Sequence, residues 1–184
     1  MNVGHFQFET GSAPTSLIKT YGATATRAVD DISLTSAATA TPWDVENTVY
    51  SEFEARAVDG LNHFVYCWDG TSDSDLRITA SDTLEARPST SPAAQLVLEN
   101  PYTPGGVNRV ASRCDSGDFA SSLDGGTSVT DATASDPSVT DLDIGHRGGS
   151  FQWSGRIRKI IMIPRLLADA DLESWSNTGD LPDA

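Results

Sequence analysis

Lysine is almost missing from this sequence: of 184 residues, only Lys19 and Lys159 carry an ammonium group. Lysine and arginine together number 12 against 26 aspartates and glutamates, which leaves a formal charge of −14. A field of that sign repels phosphate backbones and anionic headgroups, so neither nucleic acid nor a membrane surface is expected as a partner. It suits a soluble protein in a cation-rich medium. Long apolar runs are also absent, and with them any expectation of membrane insertion. The opening residues MNVGHFQFETGS hold neither a basic nor an apolar stretch, so no secretory signal is expected. Cysteine is confined to Cys67 and Cys114. Small buried thiols fit both positions, and a disulfide stays open, because it requires Cα atoms within roughly 7 Å. The three histidines, His5, His63 and His146, are too scattered for metal-ligand spacing. No G-x-S-x-G, H-E-x-x-H, G-x-x-x-x-G-K or G-x-G-x-x-G string occurs either, which removes the common signatures of hydrolases, zinc proteases and nucleotide binders.

What the chain does have is alternation. Many short runs place apolar and polar residues in turn, each bounded by Gly, Asp, Ser or Pro, which is the period of strands. In Asn47–Arg56, Val49, Ser51, Phe53 and Ala55 share one face while Tyr50, Glu52, Glu54 and Arg56 share the other. The first face suits a core, and the second carries charge toward solvent or a ligand. In HFVYCWDG, Phe64, Tyr66 and Trp68 oppose His63, Val65 and Cys67, so both faces are apolar and a central strand is predicted. Further strands are predicted at 75–80, 95–99, 107–114, 118–124, 127–132 and 140–146. Asp69-Gly70, Gly105-Gly106 and Asp124-Gly125-Gly126 supply the positive φ that hairpin turns demand.

The last strand, GRIRKIIMI at 155–163, loses its alternation at Lys159-Ile160, where a β-bulge or burial of both faces would account for the slip. Pro164 ends it. Residues 168–175 form the one convincing helical segment, with Leu172 and Trp175 on one side and Asp169 and Asp171 at its start. The fold expected is all-β, an antiparallel two-sheet β-sandwich of jelly-roll type with one short C-terminal helix. Residues 1–27 read as a leading strand or linker, and 28–184 as the sandwich.

Three segments resemble a known family. FQFETGSAPTSLIKTYGATATRAVDDI, 6–32, is similar to the link that follows a jelly roll in phage tail and surface proteins. NRVASRCDSGDFASSLDGG, 108–126, resembles a hairpin of laminin G-like domains. LDIGHRGGSFQWSGRIRKIIMIPRLLADADLESW, 142–175, resembles that family's closing order of strand, loop, strand, turn and short helix. The resemblance covers roughly 28–176 and is to concanavalin A-like, laminin G-like sandwiches of phage tail fibres and spikes. It implies a non-catalytic module on a virion surface that binds host polysaccharide beside other virion proteins, sometimes with calcium, often as a homo-oligomer.

The same fold also hosts hydrolases and lyases, so chemistry has to be judged from residues. Retaining hydrolases place two carboxylates about 5 Å apart, which enzymes of this fold present as E-x-D-x-x-E or E-x-D-x-E. No such string occurs; Glu52 and Glu54 have the wrong spacing and are followed by Arg56. A lyase built on His63 or His146 with Tyr66 and Arg77 is not singled out by spacing. For binding, aromatic faces stack on sugars while planar side chains hold hydroxyls. Trp43, Trp68, Trp153 and Tyr102 lie in or beside loops, and the carbohydrate-binding candidates are Trp68, Arg77, His146, Arg147 and Trp153. Completion of the core is the competing role for each tryptophan. Asp69, Asp73 and Asp75 are candidate calcium ligands, with Asp115 and Asp118 a weaker second pair, against the plain reading of solvated turns. The alternatives to glycan binding are a structural domain of the virion and a polysaccharide lyase or hydrolase.

Overall fold

Alternation becomes strand wherever the apolar set has a second sheet to meet. The computed structural model describes residues 32–35, 46–55, 63–70, 74–78, 84–87, 96–97, 105–115, 117–133, 139–148, 151–153 and 155–182, all within the unit Asp31–Ala184. The leading segment expected at 1–27 lies outside them. The strands are β1 (Ile32–Thr35), β2 (Asn47–Ala55), β3 (His63–Gly70), β4 (Ser74–Ile78), β5 (Leu84–Arg87), β6 (Leu96–Val97), β7 (Val107–Cys114), β8 (Phe119–Leu123), β9 (Val129–Asp131), β10 (Val139–Ile144) and β11 (Gly155–Ile163). Among the described residues one helix, α1 (Asp169–Thr178), follows.

Two sheets result, a six-stranded one ordered β1-β10-β3-β4-β5-β6 and a five-stranded one ordered β11-β2-β7-β8-β9, antiparallel throughout. Val49, Phe53, Val110, Phe119 and Leu123 of the five-stranded sheet meet Tyr66, Leu76, Leu84 and Leu142 of the other. Each such side chain contributes roughly 1.5–3 kcal/mol on burial. The expected two-sheet sandwich is the fold. Among the described residues no helix is long and apolar enough to cross a membrane.

Two irregularities decide which residues face where. In β11 the register with β2 shifts between Ile157 and Lys159, so Arg158 is the extra residue of a bulge. Beyond it both faces are used: Ile160 and Met162 pack on the inter-sheet core, while Ile161 and Ile163 pack under α1. In β3 the register with β4 shifts between Phe64 and Tyr66. That shift breaks the expected grouping of Phe64 with Tyr66: Val65 and Tyr66 both join the inter-sheet core, and Phe64 turns to the opposite face.

The helix covers the outer face of the five-stranded sheet, where Leu172 and Trp175 pack on Tyr50, Ala111 and Ala120. Trp175 stacks on Tyr50 with ring centroids 4.9 Å apart and 15° between planes. Tyr50, expected on a charged face, is therefore fully buried. Burial, followed by the neighbouring Glu52, pushes its phenol up to about 12. Glu52 and Glu54 meet cations as well as solvent: Arg109 Nε lies 3.2 Å from Glu52, and Arg158 pairs with both carboxylates. Burial alone would raise the Glu52 carboxyl, but the hydrogen bonds from Tyr50 and Arg109 and the nearby guanidiniums hold it below its ordinary value. Gly179 ends α1 in the left-handed region, φ 81°, its N–H donating to the Trp175 carbonyl at 2.9 Å.

Candidate functional site

While α1 covers the five-stranded sheet, the outer face of the six-stranded sheet gathers charged side chains. By alternation with the core residues Leu76, Leu84, Ala86 and Leu142, this face receives Asp75 and Arg77 of β4, Glu85 of β5, and Asp141 and Asp143 of β10. Phe64 and Cys67 of β3 complete it. Arg77 donates through Nε and Nη2 to Glu85 Oε2 at 3.2 and 2.9 Å, and its Nε lies 3.7 Å from Asp75 Oδ1. Its guanidinium sits 5.9 Å from the centre of the Phe64 ring, and that of Arg147 lies at the same distance. Phe64 is thus a buried ring between two arginines.

A loop carries the remaining groups. After β10 the chain returns to Trp153, whose N–H donates to the Gly145 carbonyl at 2.7 Å, while Gly145 N–H donates to Val65 at 3.0 Å. Asp143 accepts from Ser33 Oγ at 2.5 Å and from Gly148 N–H at 2.7 Å, and the His146 ring lies 3.4 Å away. The His63 ring donates from Nδ1 to the Gln152 carbonyl at 2.6 Å. These ties anchor residues 145–148 and 151–153 to β3 and β10. They present Phe151 at φ 55°, a left-handed conformation that is strained for a bulky residue. Phe151 is 49% exposed and tilts over Phe64 with centroids 6.0 Å apart. An exposed ring next to a buried one that two guanidiniums approach is equipped to stack on an apolar sugar face, with polar side chains near enough to exchange hydrogen bonds with hydroxyls.

Of the residues singled out in the sequence, the structure brings Arg77 and Arg147 together around Phe64. His146 is buried, its ring 3.4 Å from the Asp143 carboxylate. Trp153 has a different place: it packs on the inter-sheet core, edge-on to Phe53 at 5.3 Å and 88°, with its indole nitrogen buried. Its ring is partly buried there, in the packing role that competes with binding for each tryptophan. The backbones of Trp68 and Asp69 run in β3, but their side chains, together with Asp73, Trp43 and Tyr102, lie outside the described residues. Asp75 is buried beside Arg77, whose positive charge opposes a cation there. Asp118, the weaker calcium candidate, is engaged by Arg113 at 2.6 Å. No cluster of three or more metal-binding side chains occurs among the described residues. Cys67 and Cys114 are both buried thiols, with no disulfide between them.

The sequence marks Asp75, Arg77 and Arg147 here, but not Phe64, Glu85, Asp141, Asp143 or Phe151. Strict alternation groups Phe64 with Tyr66, because the bulge between them leaves no mark in a strand apolar on both faces. Glu85 lies in LEAR, four residues with no strand signature. Phe151 sits in the marked loop HRGGSFQWSG but was passed over for the larger Trp153.

No protein family matches the chain, and no curated protein matches it. Solved structures do. The carbohydrate-binding module CBM40 of the Ruminococcus gnavus IT-sialidase superposes with a TM-score of 0.59 at 16% identity, over 82% of this chain and 98% of that one. The same module bound to α2,3 sialyllactose gives 0.57 at 18%, over 80% and 96%. A heptameric SAP-like pentraxin from Limulus polyphemus gives 0.56 at 12%, over 71% and 69%. The chain folds, as they do, as an antiparallel two-sheet β-sandwich of jelly-roll type. A Trypanosoma rangeli sialidase contains the same sandwich in 23% of its length, at a TM-score of 0.59 and 10% identity over 75% of this chain. At such identities the likeness of this sandwich to its relatives is one of fold.

Proposed function

We propose that this sandwich is a carbohydrate-binding module that holds a glycan without cleaving it. Phe151 is its stacking platform, and Arg77, Arg147 and Glu85 are its hydrogen-bonding partners. The observation that carries the reading is Phe151 itself, half exposed at φ 55° above a ring flanked by two guanidiniums. A strained aromatic costs of order 1–3 kcal/mol, and such outliers concentrate where a side chain must be aimed. A sugar-binding module among the solved relatives supports the reading, as does the lack of the paired-carboxylate string that glycosidases of this fold use.

The setting we assign is the surface of a virion, such as a tail fibre or spike, with a host-surface polysaccharide as ligand. That assignment rests on the resemblance of 6–32, 108–126 and 142–175 to phage surface proteins. Trp68 and Asp69, at the far end of β3, extend the reading on sequence grounds. Binding to a glycan array tests it. The wild type should bind saturably, Phe151→Ala should weaken binding by at least about tenfold, and Phe151→Trp should retain most of it. Equal binding by Phe151→Ala, with an unchanged melting curve, would remove Phe151 from the site.

A further inference from the structure

Resting on the carbohydrate reading above, the charges of the same face point to the class of sugar it takes. Among the described side chains the face sets four carboxylates, Asp75, Glu85, Asp141 and Asp143, against two guanidiniums, Arg77 and Arg147. Both hydrogen bonds from Arg77 go to Glu85, and Asp75 lies 3.7 Å from its Nε, so its charge is already matched within the protein. Around the face lies a chain of formal charge −14. An arriving carboxylate would give up hydration, meet a guanidinium already held by another carboxylate, and feel the repulsion of Asp141 and Asp143.

We infer that the site takes an uncharged glycan, with a terminal hexose or deoxyhexose over Phe151, and discriminates against sialylated and uronate-bearing ones. A neutral sugar avoids that repulsion. Its hydroxyls accept from guanidinium and donate to carboxylate, so they fit an Arg–Glu pair without unbalancing it. Glu85 is then the residue that sets the preference. Removing its charge leaves Arg77 with Asp75 alone beside it and makes the guanidinium available to a ligand carboxylate.

The experiment is an array of the full chain on matched glycans, each neutral terminus beside its sialylated or glucuronylated counterpart. The wild type should bind the neutral member at least about tenfold more tightly, and Glu85→Gln should narrow that ratio several-fold. Salt supplies a second reading that needs no variant. Screening should strengthen residual binding of the anionic members, because repulsion dominates, whereas an attractive site would weaken with salt. Preference of the wild type for the anionic members, or binding of them that falls with salt, overturns the inference while leaving a carbohydrate module. Failure to bind any glycan overturns the module itself.

Discussion

Gly155 shows how tightly a single residue is constrained in this sandwich. A Cβ built on it would stand 1.9 Å from the Glu54 carbonyl oxygen and 3.0 Å from the carbonyl carbon and Trp153 Nε1. Backbone cannot yield as a flexible side chain does, so β11 could pair with β2 at this point only after a shift of both strands. Gly155→Ala is expected to cost about 1–3 kcal/mol, as overpacking does. For a chain of this size that lowers the melting temperature by about 2–4 °C for each kcal/mol. A melting curve that matched the wild type would show that β11 and β2 can part here without loss. Gly125 is a contrast, because its neighbour yields more readily. With Asp124 at φ 48° and Gly125 at φ 76°, the β8–β9 turn has the conformation its Asp-Gly pair predicts, and the atoms facing a new Cβ there belong to the Asn177 side chain.

At the scale of elements, α1 is held less by its own ends than by its neighbours. Ala168 at its N-cap offers no side-chain acceptor. Arg113 of β7 instead donates to Asp118 at 2.6 and 2.9 Å, to the Leu167 carbonyl at 3.2 Å, and to Asp169 in the first turn. Burial opposes the Arg113 charge, yet these two carboxylates hold the guanidinium more firmly protonated than usual. At the other side Ser176 bonds Ser122 at 2.8 Å and receives Gly125 N–H at 3.0 Å, and Glu173 receives Ser128 N–H at 2.9 Å. Arg113→Met keeps the aliphatic stem and removes the ties. Asp118 and Asp169 are about half exposed, so their pairs are screened, and the change should cost about 1 kcal/mol. Amide exchange in α1 should then quicken about fivefold, with the β2–β7 amides unchanged. Uniform acceleration throughout the sandwich would mean that α1 does not open on its own. The strands and this helix were legible in the sequence wherever apolar period and turn chemistry agreed, as in 107–114 and 168–175. Bulges were the weak point. The broken alternation of GRIRKIIMI revealed one, whereas HFVYCWDG is apolar on both faces and offers no break to notice.

For the molecule as a whole, the fold could be read because every strand repeats the same local rule, while the candidate site depends on the few places that break it. Phe64 belongs to the site through an extra residue in β3, Phe151 through a positive φ, and Glu85 through a strand whose sequence does not announce one. Net charge is the property legible without any structure, and it carries the last prediction. At −14 the folded chain repels itself, and the unfolded chain, being larger, repels itself less. Ion pairs oppose this only locally: Arg158 with Glu52 and Glu54, and Arg113 with Asp118 and Asp169, both lie where solvent screens them. Between about 50 mM and about 0.5 M sodium chloride the screening length falls to several ångströms, and the long-range repulsion fades before the pairs in contact do. The melting temperature should therefore rise with salt over that range. A fall would show that the surface pairs outweigh the net field, and the variants Arg158→Gln and Arg113→Met would then remove the dependence on salt.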